Sequence, residues 1–217
     1  MVEGGRIQAW ELQGEGGSYR IEAGHYVLAA GQGNEALGAE LTGVEVPLMQ
    51  RRPLHQVCVK KVGLKPFYGV ALGSSTKPPL VVTTHYDRAG VPVWYLGGDL
   101  AETGLDCSEE EQIGRARALL EKLLPWVDWS GAEWRTHRVH RAEAAHPGGH
   151  RPPGVYCAKR GNAVMVWPSK LALAPALSDE VLKALEKPKA GGGREFKGLE
   201  GWASPPLPEP LWDRLFS

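Results

Sequence analysis

The stretch that most constrains the fold is residues 25–34, HYVLAAGQGN. The run Tyr26-Val27-Leu28 is aromatic and aliphatic, and it meets two small alanines before Gly31 and Gly33. An apparent helix start at Asn34 follows, so the segment predicts a strand, a tight glycine turn and then a helix. Because the run is apolar on both faces, we expect the strand to be covered on both sides.

Composition sets bounds on the class of protein. Of the 217 residues, 42% are hydrophobic and 23% charged, which is ordinary for a globular chain with a sizeable core. Lys plus Arg equals Asp plus Glu, which argues against a broad footprint for nucleic acid or anionic membrane. Three cysteines without CxxC spacing favour a reducing, cytoplasmic setting. We find no secretory signal, and no window approaches the roughly 20 apolar residues of a membrane span.

Before residues 25–34, a β-hairpin is expected around the glycines at 14–17. After them, four short apolar runs predict an antiparallel meander: Leu54–Lys61, Phe67–Leu72, Leu80–Tyr86 and Val91–Leu96. Pro92 inside the last run predicts an edge position or a bulge.

The second half of the chain alternates helices and strands. Ser108 with Glu111 three residues on predicts a capped helix that Pro125 ends. Glu133–Arg141 and Ala163–Trp167 read as strands, and a last helix is expected from Leu171 to Leu185. The pattern as a whole predicts an α+β protein in two parts.

Four segments, taken in order, resemble the C-terminal portion of FAD-dependent oxidoreductases of the D-amino-acid oxidase and glycine oxidase type. The resemblance covers roughly residues 6 to 185, and it rests on VLAAGQGN, MQRRPLHQV, VWYLGGDLAE and GNAVMVWPSKLALAPALSDEVL. It implies an antiparallel substrate-domain sheet with a capping helix, plus an incomplete FAD-binding, Rossmann-like portion. The implied domains are residues 1–48 with 142–186 for FAD, 49–141 for substrate, and a Gly/Pro-rich tail at 187–217.

One departure from the family pattern bears on function. The family opens with a strand, a GxGxxG turn and a helix, which together hold the FAD pyrophosphate. This sequence contains no GxGxxG. We therefore expect a fragment, a truncated product or one subunit of a split enzyme, with a second chain supplying the missing half.

The resemblance assigns a cofactor surface to two turns. Ala30 and Gly31 would lie against FAD, although a plain strand–turn would also need glycine here. The helix start at Trp167, Ser169, Lys170 and Leu171 would offer backbone N–H groups and a cation to the flavin. A solvated first-turn lysine is an equal interpretation of Lys170.

Three further residues are candidates for the catalytic side. Arg141 corresponds to an arginine that clamps a substrate carboxylate in relatives; the alternative is a strand-end arginine paired with Glu143. His55 is a pocket candidate, although a partly buried strand histidine is the simpler interpretation. Tyr95 could line the pocket or pack in the core. The implied substrate is a small amine or amino acid, whose C–N bond is oxidised by hydride transfer to flavin.

Two other classes of function are alternatives to an FAD-dependent enzyme. A metal site is a weak alternative, since the candidate ligands lie on a strand and in a loop: His137, His140, His146, His150 and Cys157. We predict no metal. The second class is a non-catalytic remnant or protein-binding module that does not bind FAD alone, in which the Tyr26–Ala30 strand would lack a neighbour.

Overall fold

The structure is a computed structural model that describes residues 1–14, 17–41, 49–73, 77–167, 170–187, 204 and 206–217. It is a mixed α/β chain with antiparallel sheets. The described residues form two compact units. Unit 1 comprises Met1–Arg52 and Arg141–Pro206, and unit 2 comprises Pro53–His140 and Leu207–Ser217. The assignment of these parts to FAD and to substrate stays a prediction.

The strands, in chain order, are β1 (Val2–Glu3), β2 (Arg6–Ile7), β3 (Trp10–Gly14), β4 (Gly17–Ile21), β5 (Tyr26–Leu28), β6 (Met49–Lys60), β7 (Gly69–Val70), β8 (Val81–Tyr86), β9 (Pro92–Gly97), β10 (Glu133–Ala144), β11 (Tyr156–Arg160) and β12 (Ala163–Trp167). The α-helices are α1 (Asn34–Ala39), α2 (Asp99–Glu102), α3 (Glu109–Leu123), α4 (Ala174–Ala184) and α5 (Leu211–Leu215). Short 3₁₀ turns cover Gly31–Gly33, Pro147–Gly149 and Leu171–Leu173.

Unit 1 contains a three-stranded sheet in the order β11-β12-β5. β12 pairs antiparallel with β11 and parallel with β5, with Ala163 opposite Tyr26 and Met165 opposite Leu28. Every residue of β12 is buried, because one apolar cluster covers each of its faces. The expectation that the Tyr26–Ala30 strand would lack a neighbour is therefore wrong: β5 pairs with β12 along one edge. On β5, however, Val27 is 44% exposed, so the expectation that this strand is covered on both sides was wrong.

Unit 2 is built on the five-stranded sheet β10-β6-β9-β8-β7, and the boundaries between the units fall within β6 and β10. The predicted meander holds only for β7, β8 and β9, since β6 lies on the far side of β9. β9 is central and Pro92 is its first residue, so the predicted edge position was wrong. A strand tolerates proline there because the ladder needs no N–H at its start.

Helix α3 begins as its sequence predicts. The Ser108 hydroxyl accepts from the Glu111 N–H, and the Glu111 carboxylate accepts from the Ser108 N–H, a capping box. These bonds, the backbone one first, hold the pKa of the Glu111 carboxyl below its usual value. Ala116 and Leu120 are fully buried against the sheet, which places the core of unit 2 between α3 and the strands.

The predicted Gly/Pro-rich tail at residues 187–217 contains a short helix that the sequence did not indicate. Leu211–Leu215 form α5, and the residues from Leu207 onward belong to unit 2. Residues 188–203 and 205 of the predicted tail lie outside the described residues.

Candidate functional site

The candidate site in unit 1 lies where two strands end at the same edge of a sheet. Because β5 and β12 run parallel, their carboxyl ends point the same way, and each is followed by a 3₁₀ turn and an α-helix. In open α/β sheets, ligands bind beyond the carboxyl ends of parallel strands. This edge is therefore the place in unit 1 at which a ligand site is expected.

Asn34 joins the two strand ends. Its side chain is fully buried; Oδ1 accepts from the Ala30 N–H at 2.9 Å, and Nδ2 donates to the Val166 carbonyl at 3.1 Å. A buried amide without partners would cost folding free energy, so these bonds fix the turn after β5 against β12. The sequence indicated Asn34 only as a helix start; its position after a G-x-G turn was the signal for a tying role.

Trp167 lies beneath the same turn and is hydrogen-bonded to it. The indole is 3% exposed and its Nε1–H donates to the Gly31 carbonyl at 3.1 Å. Gly31 has φ +57, a left-handed conformation that favours glycine, and a Cβ there would meet no atom within 4 Å. Ala30 is exposed. The predicted residues Ala30, Gly31 and Trp167 are thus brought together, with the turn outermost and the indole beneath it.

The predicted helix start after β12 is only partly described. Ser169 lies outside the described residues, as does Pro168. Lys170 is exposed and its carbonyl accepts from the Leu173 N–H at 2.9 Å, which closes the 3₁₀ turn. Leu171 is 89% exposed.

Arg141 is half-buried on β10, and the carboxylate of Glu143, two positions on, is bound by Arg52. Arg52 Nε donates to Glu143 Oε2 at 2.9 Å and Nη2 to Oε1 at 3.3 Å, and the carboxylate is almost wholly buried. Arg52 is therefore a largely buried, ion-paired side chain and not a solvated cation. Its neighbour Arg51 forms an ion pair with Glu35. The clamp role of Arg141 stays a prediction.

His55 and Tyr95 both lie in unit 2. His55 is 1% exposed; its Nδ1 lies 2.9 Å from the Gly104 carbonyl, and its own carbonyl accepts from Gln112 Nε2 at 2.8 Å. These contacts support the interpretation as a buried strand histidine, while its catalytic role is untested. Tyr95 is half-buried on β9 and meets the His85 ring edge-on at 6.2 Å.

A cavity of about 410 Å³ in unit 2 was not anticipated from the sequence. Trp94, Trp126 and Phe67 line it, and Trp126 is 76% exposed. At its rim Lys61 Nζ lies 2.9 Å from Asp128 Oδ2. Hydrogen bonds from Ser130 and then Lys61 hold the pKa of the Asp128 carboxyl well below its usual value. None of the predicted site residues lies in this cavity.

The cysteines and histidines show no grouped ligand set in the described part of the chain. There, no three His, Cys, Asp or Glu side chains are placed so that they could share a metal ion. All three cysteines are free thiols, and burial raises the pKa of Cys58 to about 12. The described residues also include no helix with the length and apolar character to cross a bilayer.

Comparison with known proteins gives the chain a homologue. No family model matches it. The chain is 49% identical over 198 residues to a probable FAD-dependent oxidoreductase of Pseudomonas aeruginosa, an alignment that covers 91% of this chain and 50% of that protein. The crystal structure of an FAD-dependent oxidoreductase from Pseudomonas aeruginosa matches with a TM-score of 0.78 and 47% identity, over 89% of this chain and 53% of that one. The chain therefore spans about half the length of the relative it matches.

The predicted resemblance to FAD-dependent oxidoreductases is thus confirmed, and with it FAD by resemblance. Membership of the D-amino-acid oxidase family and the status of the chain as a fragment remain predictions.

Proposed function

We propose that this chain forms part of an FAD-dependent oxidoreductase and supplies one wall of its cofactor site. The observation that carries the proposal is the edge of unit 1 where β5 and β12 end together, with Ala30 and Leu171 exposed. Small residues and open space around Gly31 let a planar ring or a phosphate approach the backbone. The residues present fit such a wall, and FAD, when bound, would accept the hydride.

In this proposal each residue has a positioning role. Trp167 and Asn34 hold the turn at Ala30 and Gly31 through the hydrogen bonds described above. Lys170, with Ser169 and Leu171, would face the flavin from the second turn, where a cation and N–H groups favour negative charge. Because these supports are buried and hydrogen-bonded, the wall is pre-formed and loses little freedom on binding.

For the substrate side we propose a small amine or amino acid. Arg141 would bind a carboxylate with its planar guanidinium, which matches two carboxylate oxygens. Tyr95 would form a pocket wall. His55 would tie β6 to Gly104 and to α3, with a role through packing rather than proton transfer, and its contacts with Gly104 and Gln112 support that assignment.

The remaining cofactor contacts would come from a second chain or from further sequence. β5 is the last strand in its sheet, and Val27 on it is 44% exposed. A strand with an open edge can accept another strand by backbone pairing. The same observation favours the second candidate, a protein-binding module that does not bind FAD by itself.

The first experiment is a visible absorption spectrum of the purified chain, before and after incubation with FAD and removal of excess dye. A retained flavin band is expected if the wall suffices, and the Asn34→Ala variant should then lose most of the band. Leu72→Ala, at a 92% exposed position in unit 2, is the matched control. A colourless protein would favour the binding module.

A second measurement separates the two candidates. The half of the Pseudomonas relative that this chain does not cover is added in trans, and flavin retention is measured again. Flavin retained only in the mixture supports a split enzyme, and amine oxidation can then be assayed. No flavin in either sample overturns the cofactor proposal.

A further inference from the structure

The sheet of unit 2 has a second face, opposite the core that packs on α3. Cross-strand pairing places Lys60, Val93 and His85 in one row, because paired residues point to the same side. The intervening residue Trp94 belongs to the core face, as do its neighbours Val57, Val59, Val82 and Leu96. The second face therefore presents a cation and an imidazole within one row.

Residues of the C-terminal segment, Leu207–Ser217, lie on this face. The indole of Trp212 stacks on the His85 ring, with centroids 4.1 Å apart and planes 15° from parallel. Lys60 Nζ lies 5.5 Å from the centroid of the Phe216 ring, and the Arg135 guanidinium lies 5.7 Å from it. Cations at this distance from an aromatic face are attracted by its quadrupole.

A hydrogen bond and ion pairs also join the segment to Arg88. The backbone N–H of Arg88 donates to Asp213 Oδ1 at 2.9 Å, and its guanidinium lies 3.1 Å from Glu209. The Asp213 side chain is only 8% exposed, so its contact is shielded from water. Arg88 therefore carries the charge complementarity with the two acidic residues of the segment, since Lys60 is paired with Asp87 at 2.8 Å.

The segment Leu207–Ser217 binds the second face of the sheet through the short helix α5. Trp212 lies on α5 and Phe216 directly follows its last residue, and both rings contact side chains of the sheet. A helix of five residues is too short to be stable alone, so the sheet face orders it. The segment is therefore a bound peptide that is covalently joined to its receptor.

We propose that the second face of the unit 2 sheet is a peptide-binding site, and that Leu207–Ser217 are its intramolecular ligand. The site takes a short amphipathic helix with an aromatic residue, an acidic residue directly after it, and a second aromatic residue four positions from the first. While bound, the segment covers His85, which also contacts the candidate pocket residue Tyr95. The inference goes beyond the proposed function, because it requires no flavin.

The test uses the full chain with the segment released by the double substitution Trp212→Ala and Phe216→Ala. A fluorescent synthetic peptide of residues 207–217 is added in trans, and binding is followed by polarisation. A tethered ligand competes at an effective concentration on the order of millimolar. We therefore expect the peptide to bind the released variant with a Kd at least ten-fold lower than it shows for the unsubstituted chain.

Matched controls identify the contact. Leu207→Ala, at a position 94% exposed, should behave as the unsubstituted chain, and a peptide carrying Trp212→Ala should bind the released variant weakly. Glu209→Ala removes the segment's own contact with Arg88 and leaves the receptor unchanged, so it should lower the Kd by a smaller factor. Hydrogen exchange should show faster exchange at 207–217 and unchanged protection in β9. Equal Kd values for released and unsubstituted chains, or no binding to either released variant, would overturn the proposal.

Discussion

Units 1 and 2 both contain buried amides, such as Gln112 in unit 2, but their apolar cores are arranged differently. In unit 2 one apolar cluster joins the central strands to α3, with Val57, Leu96 and Leu120 at zero exposure. In unit 1 the thin sheet has apolar cover on both faces, but its connections are tied by two buried asparagines, Asn34 and Asn162. Hydrophobic burial is non-directional, whereas amide hydrogen bonds fix positions. The stability of unit 2 therefore depends mainly on apolar packing, whereas the turns of unit 1 depend on particular hydrogen bonds.

The largest effect is expected in the core of unit 2. Leu120→Ala removes a fully buried side chain from the contact between α3 and the sheet. We expect the free energy of unfolding to fall by about 2–5 kcal/mol, measured by urea denaturation. Leu119→Ala, on the same helix and only partly buried, is the control and should cost less. Equal losses for both would contradict the packing described here.

The corresponding substitution in unit 1, Asn162→Ala, removes two hydrogen bonds. Asn162 Oδ1 accepts from the Ile7 N–H at 2.8 Å and Nδ2 donates to the Ile7 carbonyl at 2.9 Å. Asn162→Ala leaves that buried peptide group unsatisfied, so we expect a loss of about 2–3 kcal/mol. Hydrogen exchange should rise at β2 and leave β9 of unit 2 unchanged. An increase spread evenly over both units would refute the local role.

These two predictions show what the sequence could reveal. Periodicity and capping located β12 at its observed residues and the start of α3, because both depend on neighbours along the chain. The strand, glycine turn and helix at 26–39 were also predictable for that reason. The roles of Asn34 and Asn162 were not, since their partners lie 132 and 155 residues away. The local hint in both cases was a glycine directly before the asparagine, Gly33 and Gly161.

The candidate site was predictable to a similar extent. The family resemblance brought out Ala30, Gly31 and Trp167, which the structure places together. It could not show that Trp167 lies beneath the turn, because exposure is a property of the packed sheet. It also missed α5, since a proline-rich segment reads as a loop until a surface elsewhere in the chain orders it.

A smaller difference in stability is expected between alanine substitutions at one glycine from each unit. Gly161 in unit 1 and Gly63 in unit 2 both have positive φ, at +56 and +79. A Cβ on Gly161 would lie 2.1 Å from the Gly5 carbonyl oxygen, whereas one on Gly63 would meet nothing within 4 Å. Alanine costs about 1–2 kcal/mol at either site through its backbone conformation. We expect Gly161→Ala to cost at least about 1 kcal/mol more in thermal denaturation, and identical losses would rule out the close approach.

The smallest effect concerns acid sensitivity in unit 2. Burial lowers the pKa of His85 and, together with the charge of Arg214, that of His137. The unfolded chain then takes up protons at a higher pH than the folded one, so stability is full above the ordinary pKa of about 6.5 and declines as pH falls below it. The shifted groups of unit 1, Cys157 and Lys183, have raised pKa values and titrate in the alkaline range. Between pH 7.5 and 5.5, hydrogen exchange corrected for intrinsic rates should therefore show greater loss of protection in β8 than in β12. The double substitution His85→Gln and His137→Gln should flatten the dependence in β8, and an unchanged slope would assign it to other groups.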